Sequence, residues 1–394
     1  MNGGSDLRGV VARGMRLLPE TIVFGMLRAR ERDIDLTLPP PVATRAAAKR
    51  LLIAPANYAG QGRAWAESAD SLDDVAAVNL EVSRAGGYDF PTDFRVSQYV
   101  FSWSRRWASA QTDALEHGFT HVLIEAERPV LGRACRFDVR REGAWLDAHD
   151  IARAYVSHGS DLRLPSRHAE LDPWSPFRDS DWDVVPDLEA SARRNADFLH
   201  EQGRPVFVST PELLLDAPPG ATWLPVVIDP SRWSSTAPPL DGSRPVVFHA
   251  PTNPRAKGTN LVAPALEALN AEGVIAYRPA NGVNAGDMPP LVREADIVLD
   301  QFRVGSYGVA ACEAMAAGRL VVGHVSKQVR IAAAEAAGMP LPIVEADPDT
   351  LESVLREIAA APDSYRTAAA AGPEFVKRLH DGAHSARALA SFLG

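Results

Sequence analysis

The segment from Val304 to Gly318, VGSYGVAACEAMAAG, combines a glycine-bearing loop with a carboxylate, and such groups can bind phosphates and hydroxyls. A short apolar run ends at Asp300, and the pattern after the loop predicts a helix that starts near Tyr307. The first turn of a helix leaves its backbone amides unpaired, and the helix dipole attracts negative charge. We therefore predict a phosphate seat at the amides of Gly308, Val309 and Ala310.

Glu313 lies within the second turn of this predicted helix and is surrounded by alanine and other apolar residues. A buried carboxylate without a partner is costly, which favours a role as hydrogen-bond acceptor for the hydroxyls of a sugar or a ribose. By spacing alone, a packed alanine-rich helix that begins at a glycine explains the same pattern. Both interpretations stay open at this point.

A second loop, HAPTNPRAKGT at residues 249–259, follows the apolar run Pro245–Ala250 and precedes a predicted helix. It contains Asn253, Arg255 and Lys257. A lysine ammonium is a compact charge that is suited to neutralising phosphate oxygens. The residues alone, however, favour a solvated pair of loop cations.

The first half of the chain offers weaker candidates. His158 stands at the end of the apolar run Ala154–Val156 and precedes Gly-Ser-Asp, although a lone histidine after a strand is more often structural. The turn at residues 57–62 contains Gly60 and Gly62, which would let backbone amides approach a ligand. Such a turn is common in α/β domains and is weakly specific.

Two further carboxylates, Glu125 and Glu127, follow the apolar run His121–Ile124. They could bind acceptor hydroxyls, but solvated loop carboxylates are the commoner case. The sequence has no cysteine–histidine spacing typical of a metal site, so we expect no metal. It also has no Gly-x-Ser-x-Gly nucleophile elbow, which disfavours an α/β-hydrolase.

Most of these candidates follow short apolar runs that the pattern predicts to be strands. Helical patterns separate several of the runs, which favours mostly parallel sheets covered on both faces. In open α/β sheets, ligands bind beyond the carboxyl ends of the strands. The predicted strands lie at residues 51–54, 94–100, 121–124, 154–156, 205–208, 222–227, 245–250, 274–278, 297–300, 320–325 and 342–344.

The Pro- and Ser-rich stretch 230–243 interrupts this alternation and is typical of an interdomain linker. We therefore predict an α/β fold with two Rossmann-like, doubly wound domains and a cleft between them. The expected parts are an N-terminal segment at 1–48, a first domain at 49–230, a second at 244–372, and a helical tail at 373–394 that crosses back to the first.

The composition is that of a globular protein: the chain has 394 residues, of which 46% are hydrophobic and 23% charged. A net charge of −9 argues against nucleic-acid binding, which needs a basic surface. The two cysteines cannot build a disulfide framework. With no run of about 18 apolar residues and no secretory signal pattern, we expect a cytoplasmic protein.

The N-terminal segment contains apolar residues at helical spacing, and arginines flank them between residues 8 and 32. A basic amphipathic helix can lie on an anionic membrane, so peripheral contact of residues 8–28 with the inner membrane face is one interpretation. The other is a helix that packs on its own protein, which the acidic residues of this segment favour.

Residues 305–317 resemble the C-terminal signature of the retaining glycosyltransferases of the GT-B fold, family four. In that signature, seven residues separate two glutamates, and an alanine-methionine-alanine run follows the second. Glu313 matches the second glutamate, which holds the nucleotide ribose in the family. Gly305 stands where the first glutamate would contact the transferred sugar.

The loop 249–259 resembles the donor-phosphate loop of the same family. Lys257 matches the lysine that binds the diphosphate, whereas Pro251 stands about where the family has an arginine, for which Arg255 is the candidate substitute. His158 matches a histidine that faces the transferred sugar. The resemblance thus implies catalytic roles for His158, Lys257 and Glu313. It implies substrate contacts from Gly60, Gly62, Asn253, Arg255, Gly305, Tyr307, Gly308, Val309 and Ala310.

The resemblance covers roughly residues 50–394 and implies a GT-B architecture. The implied reaction moves a sugar from a nucleotide-diphospho-sugar to the hydroxyl of an unidentified acceptor, with retention of configuration and without metal or other cofactor. Two alternatives stay open. One is a nucleotide-sugar-binding protein or supporting subunit that has lost transfer, and the other is a sugar-nucleotide epimerase.

Overall fold

The computed structural model describes residues 18–31 and 34–394. Its contacts divide the chain into two compact units. The first comprises the described residues up to Ala66 together with Asp73–Gly87 and Pro91–Arg153, and the second comprises Glu67–Leu72, Tyr88–Phe90 and Ala154–Gly394. No helix in the described part of the chain is long and apolar enough to span a membrane.

The first unit is built on parallel strands, with β1 paired to both β2 and β4 and β2 paired to β3. Residues 51–54 of β1 are fully buried, as expected of an apolar run in a parallel sheet. The strands are β1 (Lys49–Ala54), β2 (Val75–Ser83), β3 (Phe94–Ser97) and β4 (His121–Glu125). The helices along this part of the chain are α1 (Glu20–Arg30), α2 (Gln61–Asp70), α3 (Gln98–Trp103), α4 (Arg105–Gly118) and α5 (Val139–Ala148).

The next part of the chain supplies strands β5 (Ala152–Ser157), β6 (Val206–Val208) and β7 (Thr222–Trp223), which pair in parallel in that order. Helices α6 (Pro165–Leu171), α7 (Val185–Gln202) and α8 (Pro230–Trp233) accompany them. In the described residues the order of this seven-stranded sheet is β3-β2-β1-β4-β5-β6-β7. The chain adds β2 and β3 on one side of β1 and then β4 to β7 on its other side. Such a change in the order of the strands is typical of doubly wound folds.

Within the described residues, the second sheet has five strands in the order β12-β11-β10-β8-β9, and all of its pairs are parallel. Two apolar clusters cover it, one around Met315 and Phe375 and the other around Leu266 and Phe302. Its strands are β8 (Val246–His249), β9 (Ala276–Pro279), β10 (Ile297–Leu299), β11 (Leu320–Gly323) and β12 (Ile343–Glu345). The remaining helices are α9 (Pro254–Lys257), α10 (Thr259–Ala271), α11 (Met288–Glu294), α12 (Val309–Ala316), α13 (Lys327–Ala337), α14 (Leu351–Ala360), α15 (Asp363–Leu379) and α16 (Ala383–Leu393).

The predicted α/β fold with two parallel sheets is therefore confirmed. The strand predicted at 94–100 was too long, because Ser97 ends it and caps α3 by accepting a hydrogen bond from the Val100 amide. The helix predicted to start near Tyr307 begins at Val309. The tail is two helices, with Pro373 inside the first of them.

The strands of the two sheets lie within 49–223 and 246–345, so the predicted linker 230–243 falls between them and contains the short helix α8. The His380 carbonyl accepts a hydrogen bond from the Ile228 amide, and Ser385 donates one to the Pro225 carbonyl. These contacts attach the tail to the segment that joins the sheets. The domain boundaries stay a prediction, and residues 8–17 of the predicted membrane segment lie outside the described residues.

Candidate functional site

Lys257, Asp300 and Gly308 meet at the carboxyl edge of the second sheet. Lys257 Nζ donates to Asp300 Oδ1 at 2.5 Å, and the Gly308 amide donates to Asp300 Oδ2 at 3.2 Å. A Cβ on Gly308 would lie 4.0 Å from Lys257 Nζ, so the cation lies beside the start of α12. The structure thus brings the predicted lysine and the predicted helix start together. The sequence placed Asp300 at the end of a strand but did not assign it to the site.

The loop that carries Lys257 is held by its own side chains. Asn253 caps α9, because its Oδ1 accepts a hydrogen bond from the Ala256 amide at 3.1 Å. Gly258 ends α9 with a φ of +82°, where a Cβ would lie 2.8 Å from Arg303 Cγ. Glycine is therefore required at this position for two reasons: the left-handed backbone conformation and the close approach of the Arg303 side chain.

The sequence predicted free amides at Gly308, Val309 and Ala310 at the start of α12, but one of the three is already bound. The Gly308 amide is bonded to Asp300, which corrects its assignment as a free phosphate donor. The amides of Val309 and Ala310 have no acceptor within residues 18–31 and 34–394. Tyr307 is buried and its hydroxyl lies 3.1 Å from His380 Nε2, so this side chain belongs to the core.

The Glu313 side chain is half-buried on α12, and its carboxyl group has no hydrogen-bond partner in the described part of the chain. Burial raises its pKa to about 8, and the charge of Asp300 acts in the same direction while Arg232 opposes it. The carboxyl group is therefore largely protonated at neutral pH. An acidic side chain kept without a partner in an apolar helix supports the prediction that Glu313 serves a ligand.

Arg255 is committed to other groups. Its guanidinium binds Asp179, with Nε 3.0 Å from Oδ2, and also binds Asp181. It lies over the Trp182 ring at 5.5 Å from the centroid. Two carboxylates thus occupy this guanidinium, and the substitution of Arg255 for the arginine of the donor-phosphate loop stays a prediction.

Arg303 is a second arginine that binds Asp179, and the sequence analysis did not identify it. It is 4% exposed and contacts both oxygens of Asp179, at 2.6 and 2.8 Å. Hydrogen bonding from Arg303, and then from Arg255, holds the pKa of Asp179 below its usual range. The two arginines therefore fasten the segment around Asp179 to the loops of the second sheet.

Gly305 has a φ of +67° and lies against a carboxylate. A Cβ at this position would come within 2.9 Å of Asp172 Oδ2, which itself lies 3.1 Å from His324 Nε2. His324 Nδ1 lies 2.6 Å from Glu345 Oε1. Burial opposes the charge of His324, but hydrogen bonds from the imidazole to the two carboxylates outweigh it and raise its pKa to about 9.

His158 lies at the end of β5 as predicted. Its amide donates to Asp161 Oδ2 at 2.8 Å, and its carbonyl accepts a hydrogen bond from Ser209 Oγ at 3.1 Å. The Gly159 amide also donates to Asp161. The Gly-Ser-Asp sequence after the histidine therefore forms a turn closed by the Asp161 carboxylate, which fixes the backbone of His158.

The turn at 57–62 in the first unit is organised by a buried carboxylate. Glu125 is fully buried and accepts hydrogen bonds from the amides of Ala56 at 2.8 Å and Asn57 at 3.0 Å. A Cβ on Gly62 would lie 3.1 Å from Glu125 Oε2, and Gly60 has a φ of +74°. The two glycines shape the turn, but its first amides are already bound.

The interpretation of Glu125 and Glu127 as solvated loop carboxylates was therefore wrong. Glu125 is 0% exposed and Glu127 7%, which excludes a solvated loop pair. Glu125 holds backbone amides rather than acceptor hydroxyls. The segments 18–31 and 34–394 contain no group of three or more histidine, cysteine or acidic side chains that could hold a metal ion.

No protein-family model matches the sequence, and no curated protein matches it either. Solved structures do match. The structure of HepE from Anabaena, in complex with UDP and glucose, shares 10% identity over 88% of this chain and 99% of its own, with a TM-score of 0.57. Sucrose-phosphate synthase from Thermosynechococcus elongatus shares 12% identity over 87% and 98%, with a TM-score of 0.53.

WaaG, a glycosyltransferase involved in lipopolysaccharide biosynthesis, shares 16% identity over 87% of this chain and 99% of its own, with a TM-score of 0.52. These matches extend over nearly the whole length of each of the three structures. The chain therefore has the two-sheet α/β fold of these proteins, the GT-B architecture that the resemblance implied.

Proposed function

We propose that this chain is a glycosyltransferase that moves a sugar from a nucleotide-diphospho-sugar to an acceptor hydroxyl. The observation that carries the proposal is the meeting of Lys257 Nζ with the start of α12 at the carboxyl edge of the second sheet. A cation beside helix amides is suited to a diphosphate. The structures of HepE with UDP and with UDP-glucose share this fold, which makes a uridine nucleotide the first donor to test.

Each group has a role in the proposed reaction. As the bond from the sugar to the diphosphate breaks, negative charge grows on the leaving oxygen. Lys257 Nζ and the amides of Val309 and Ala310 stabilise that charge, and such preorganised groups can contribute several kcal/mol. Glu313 accepts hydrogen bonds from the ribose hydroxyls. His158 faces the transferred sugar in this proposal, as the resemblance implies.

Two finer features belong to the proposal. Lys257 and the helix amides supply the positive charge, so activity is expected to persist after treatment with a chelator. Retention of configuration rests on the resemblance in the segment 305–317, and the anomeric proton coupling of the first-formed product tests it. A leaving phosphate oxygen would take the acceptor proton, so the reaction needs no separate enzymic base.

One observation favours an active transferase over a binding protein that has lost transfer. Although residue 305 is a glycine, the Asp172 carboxylate lies 2.9 Å from the place where its Cβ would be. A carboxylate is thus present beside the position where the family has its first signature glutamate. We propose that Asp172 serves there.

The test is incubation of the protein with UDP-, GDP-, ADP- and dTDP-sugars, followed by chromatography of the nucleotides and sugars. We expect slow release of a nucleoside diphosphate from one donor class through hydrolysis, and faster release when an acceptor is present. Binding without release would favour the binding protein, and a changed sugar would favour the epimerase. A chain that neither binds nor converts any of the donors would contradict the proposal.

We also propose peripheral contact of α1 with an anionic membrane at the cytoplasmic face. Ile22 is 49% and Met26 45% exposed on α1, and Arg28 and Arg30 lie exposed in its last turn. Glu20 faces the other way and accepts hydrogen bonds from Ser104 and the Arg105 amide. The helix is thus attached to its own unit while it presents apolar and basic side chains to solvent.

Replacing Ile22 and Met26 together by asparagine should reduce sedimentation with vesicles that contain phosphatidylglycerol. The control replaces two other exposed apolar residues, Leu171 and Ile331, in the same way. We expect the control to sediment like the parent. If both double variants sediment equally, α1 is not the contact.

A further inference from the structure

Asp300 occupies the centre of the proposed donor site and uses both carboxylate oxygens there. It follows β10 directly and is 4% exposed. Oδ1 accepts from Lys257 Nζ at 2.5 Å, and Oδ2 accepts from the Gly308 amide at 3.2 Å. One buried carboxylate thus binds a cation from one loop and a helix amide from another.

These two donors are of the kinds that bind a phosphate group. A phosphate takes charge-assisted hydrogen bonds from lysine and from amides at the start of a helix, and so does this carboxylate. The Lys257 side chain keeps 22% of its surface exposed, so a ligand can reach it without unfolding the loop. Its ammonium has three donors, of which Asp300 accepts one.

The charge of Asp300 acts against a diphosphate in two ways. It neutralises Lys257, and it places a negative charge beside the anionic ligand in a partly buried region, where screening by water is weak. The same carboxylate also contributes to the raised pKa of Glu313, after burial, which indicates that its field reaches the next turn of α12.

We propose that Asp300 is a positioning residue that holds Lys257 and Gly308 in place in the absence of donor and competes with the diphosphate for them. Its carboxylate occupies the donors of the empty site and is displaced from them when the nucleotide-sugar binds. Its negative charge keeps the binding of the product diphosphate weak enough for release. This inference rests on the proposed function, because it concerns the same donor site.

Asp300→Asn removes the charge with little change in volume, Asp300→Ser removes the charge and shortens the side chain, and Asp241→Asn is the matched control. Asp241 is 76% exposed, its nearest cation is Arg366 at 4.0 Å, and it precedes β8, on the side of the sheet away from Asp300. Calorimetric titrations with UDP, GDP, ADP and dTDP first identify the diphosphate that the parent binds. The same diphosphate and its free nucleoside are then titrated into each variant, with the thermal unfolding of each variant recorded.

We expect the Asp300 variants to bind the diphosphate about tenfold more tightly than the parent, with nucleoside affinity unchanged. In turnover, KM and kcat should both fall, because product release becomes slower. In a double-mutant cycle with Lys257→Met, the Asp300 substitution should increase the affinity for the diphosphate by a smaller factor when the lysine is absent. A gain in affinity is not the result expected of a purely structural ion pair, whose loss would weaken binding.

Several outcomes would overturn the inference. If the parent binds a diphosphate and the Asp300 variants bind it equally or more weakly, Asp300 does not compete, while the proposed function stands. If Asp300→Asn and Asp241→Asn increase the affinity for the diphosphate equally, the effect comes only from the change in net charge of the protein. If neither parent nor variants bind any of the four diphosphates, both the inference and the proposed function are wrong.

Discussion

Lys257 and Glu313 contact different parts of the proposed donor, so substitutions should separate them. Glu313→Ala removes a largely protonated carboxyl group that bonds the ribose hydroxyls, and hydrogen bonds to a neutral group are worth about 0.5–1.5 kcal/mol each. The affinity for both nucleoside and nucleoside diphosphate should then fall by roughly two- to tenfold for each hydrogen bond that is lost. Lys257→Ala should weaken only the diphosphate and also slow turnover, because charge on the leaving group grows in the transition state.

Calorimetric titration with uridine and UDP checks this contrast, and Asp241→Ala serves as the exposed control. Circular dichroism establishes that each variant is folded. If both variants bind UDP as the parent does, the donor lies elsewhere. If Lys257→Ala weakens uridine as much as UDP, the lysine does not contact the phosphates.

The sequence was sufficient to select Lys257 and Glu313 as candidates because each lies in a local pattern of loop and helix. It was not sufficient to find their partners, which come from distant parts of the chain. Asp300 lies 43 residues after Lys257, and Asp179 lies 124 residues before Arg303. Arg255 shows the same limit, since its position in the loop predicted a phosphate contact but gave no sign of its pairing with Asp179. Local spacing cannot reveal which charges the fold brings together.

The loop before α12 depends on a glycine with a left-handed backbone. Gly305 has a φ of +67°, and its Cβ position lies 2.9 Å from Asp172 Oδ2, which is bonded to His324. Gly338 at the end of α13 has nearly the same φ, +65°, but nothing closer than 4.0 Å to its Cβ position. Gly338→Ala should therefore cost about 1 kcal/mol for backbone strain alone.

Gly305→Ala carries the same strain and must also displace the Asp172 carboxylate from His324. We expect it to destabilise the protein by about 2–4 kcal/mol, clearly more than Gly338→Ala. Urea unfolding of the two variants and the parent measures the difference. If Gly305→Ala and Gly338→Ala lose the same amount of stability, the displacement of the Asp172 carboxylate does not destabilise the protein.

The turn after β1 should depend on Glu125 as an acceptor. In Glu125→Gln, an amide group would face at least one of the Ala56 and Asn57 backbone donors, so the variant should lose about 1–3 kcal/mol of stability. Hydrogen exchange of these two amides should become faster. Glu116→Gln is the control, because the Glu116 side chain is 42% exposed. Unchanged exchange at Ala56 and Asn57 would show that the carboxylate is dispensable for the turn.

Strands with continuous apolar runs were predictable, as β1 and β4 show, because parallel strands are buried on both faces. β2 was missed because polar residues interrupt it. Asn79, in the middle of β2, is fully buried and accepts hydrogen bonds from the Asp93 amide and the Thr92 hydroxyl. A strand that buries a paired asparagine has no clear apolar pattern, and only the fold supplies its partners.

The attachment of the tail to the segment between the two sheets depends on a buried histidine. His380 is 1% exposed, and its Nδ1 donates to the Val226 carbonyl at 2.8 Å. Burial lowers the pKa of His380 to about 4, so the ring is neutral at pH 7 and its Nε2 accepts a hydrogen bond from the Tyr307 hydroxyl at 3.1 Å. His380 thus joins the end of α15 to that segment and to the loop before α12.

This arrangement predicts how global stability changes with pH. Burial lowers the pKa of His380 to about 4, against 6.5 in an unfolded chain, although the bond to Val226 acts in the opposite direction. Between these pH values the unfolded state binds the extra proton, so stability falls as the pH decreases from about 6.5 to 4. His380→Gln lacks this titration. This variant should be less stable than the parent at pH 7. The difference in stability between the two proteins should become steadily smaller toward pH 4.

Thermal unfolding of parent and variant at intervals from pH 7 to pH 4 measures the gap. Some acid sensitivity should persist in His380→Gln, because burial also lowers the pKa of His121 to about 4. His117→Gln provides a control of opposite sign, since a hydrogen bond to the Asp113 carbonyl raises the pKa of His117 on the surface. If the difference in stability between parent and His380→Gln stays constant down to pH 4, His380 takes up its proton in the folded protein as readily as in the unfolded chain. The hydrogen bonds of a neutral His380 would then not explain how the tail is attached.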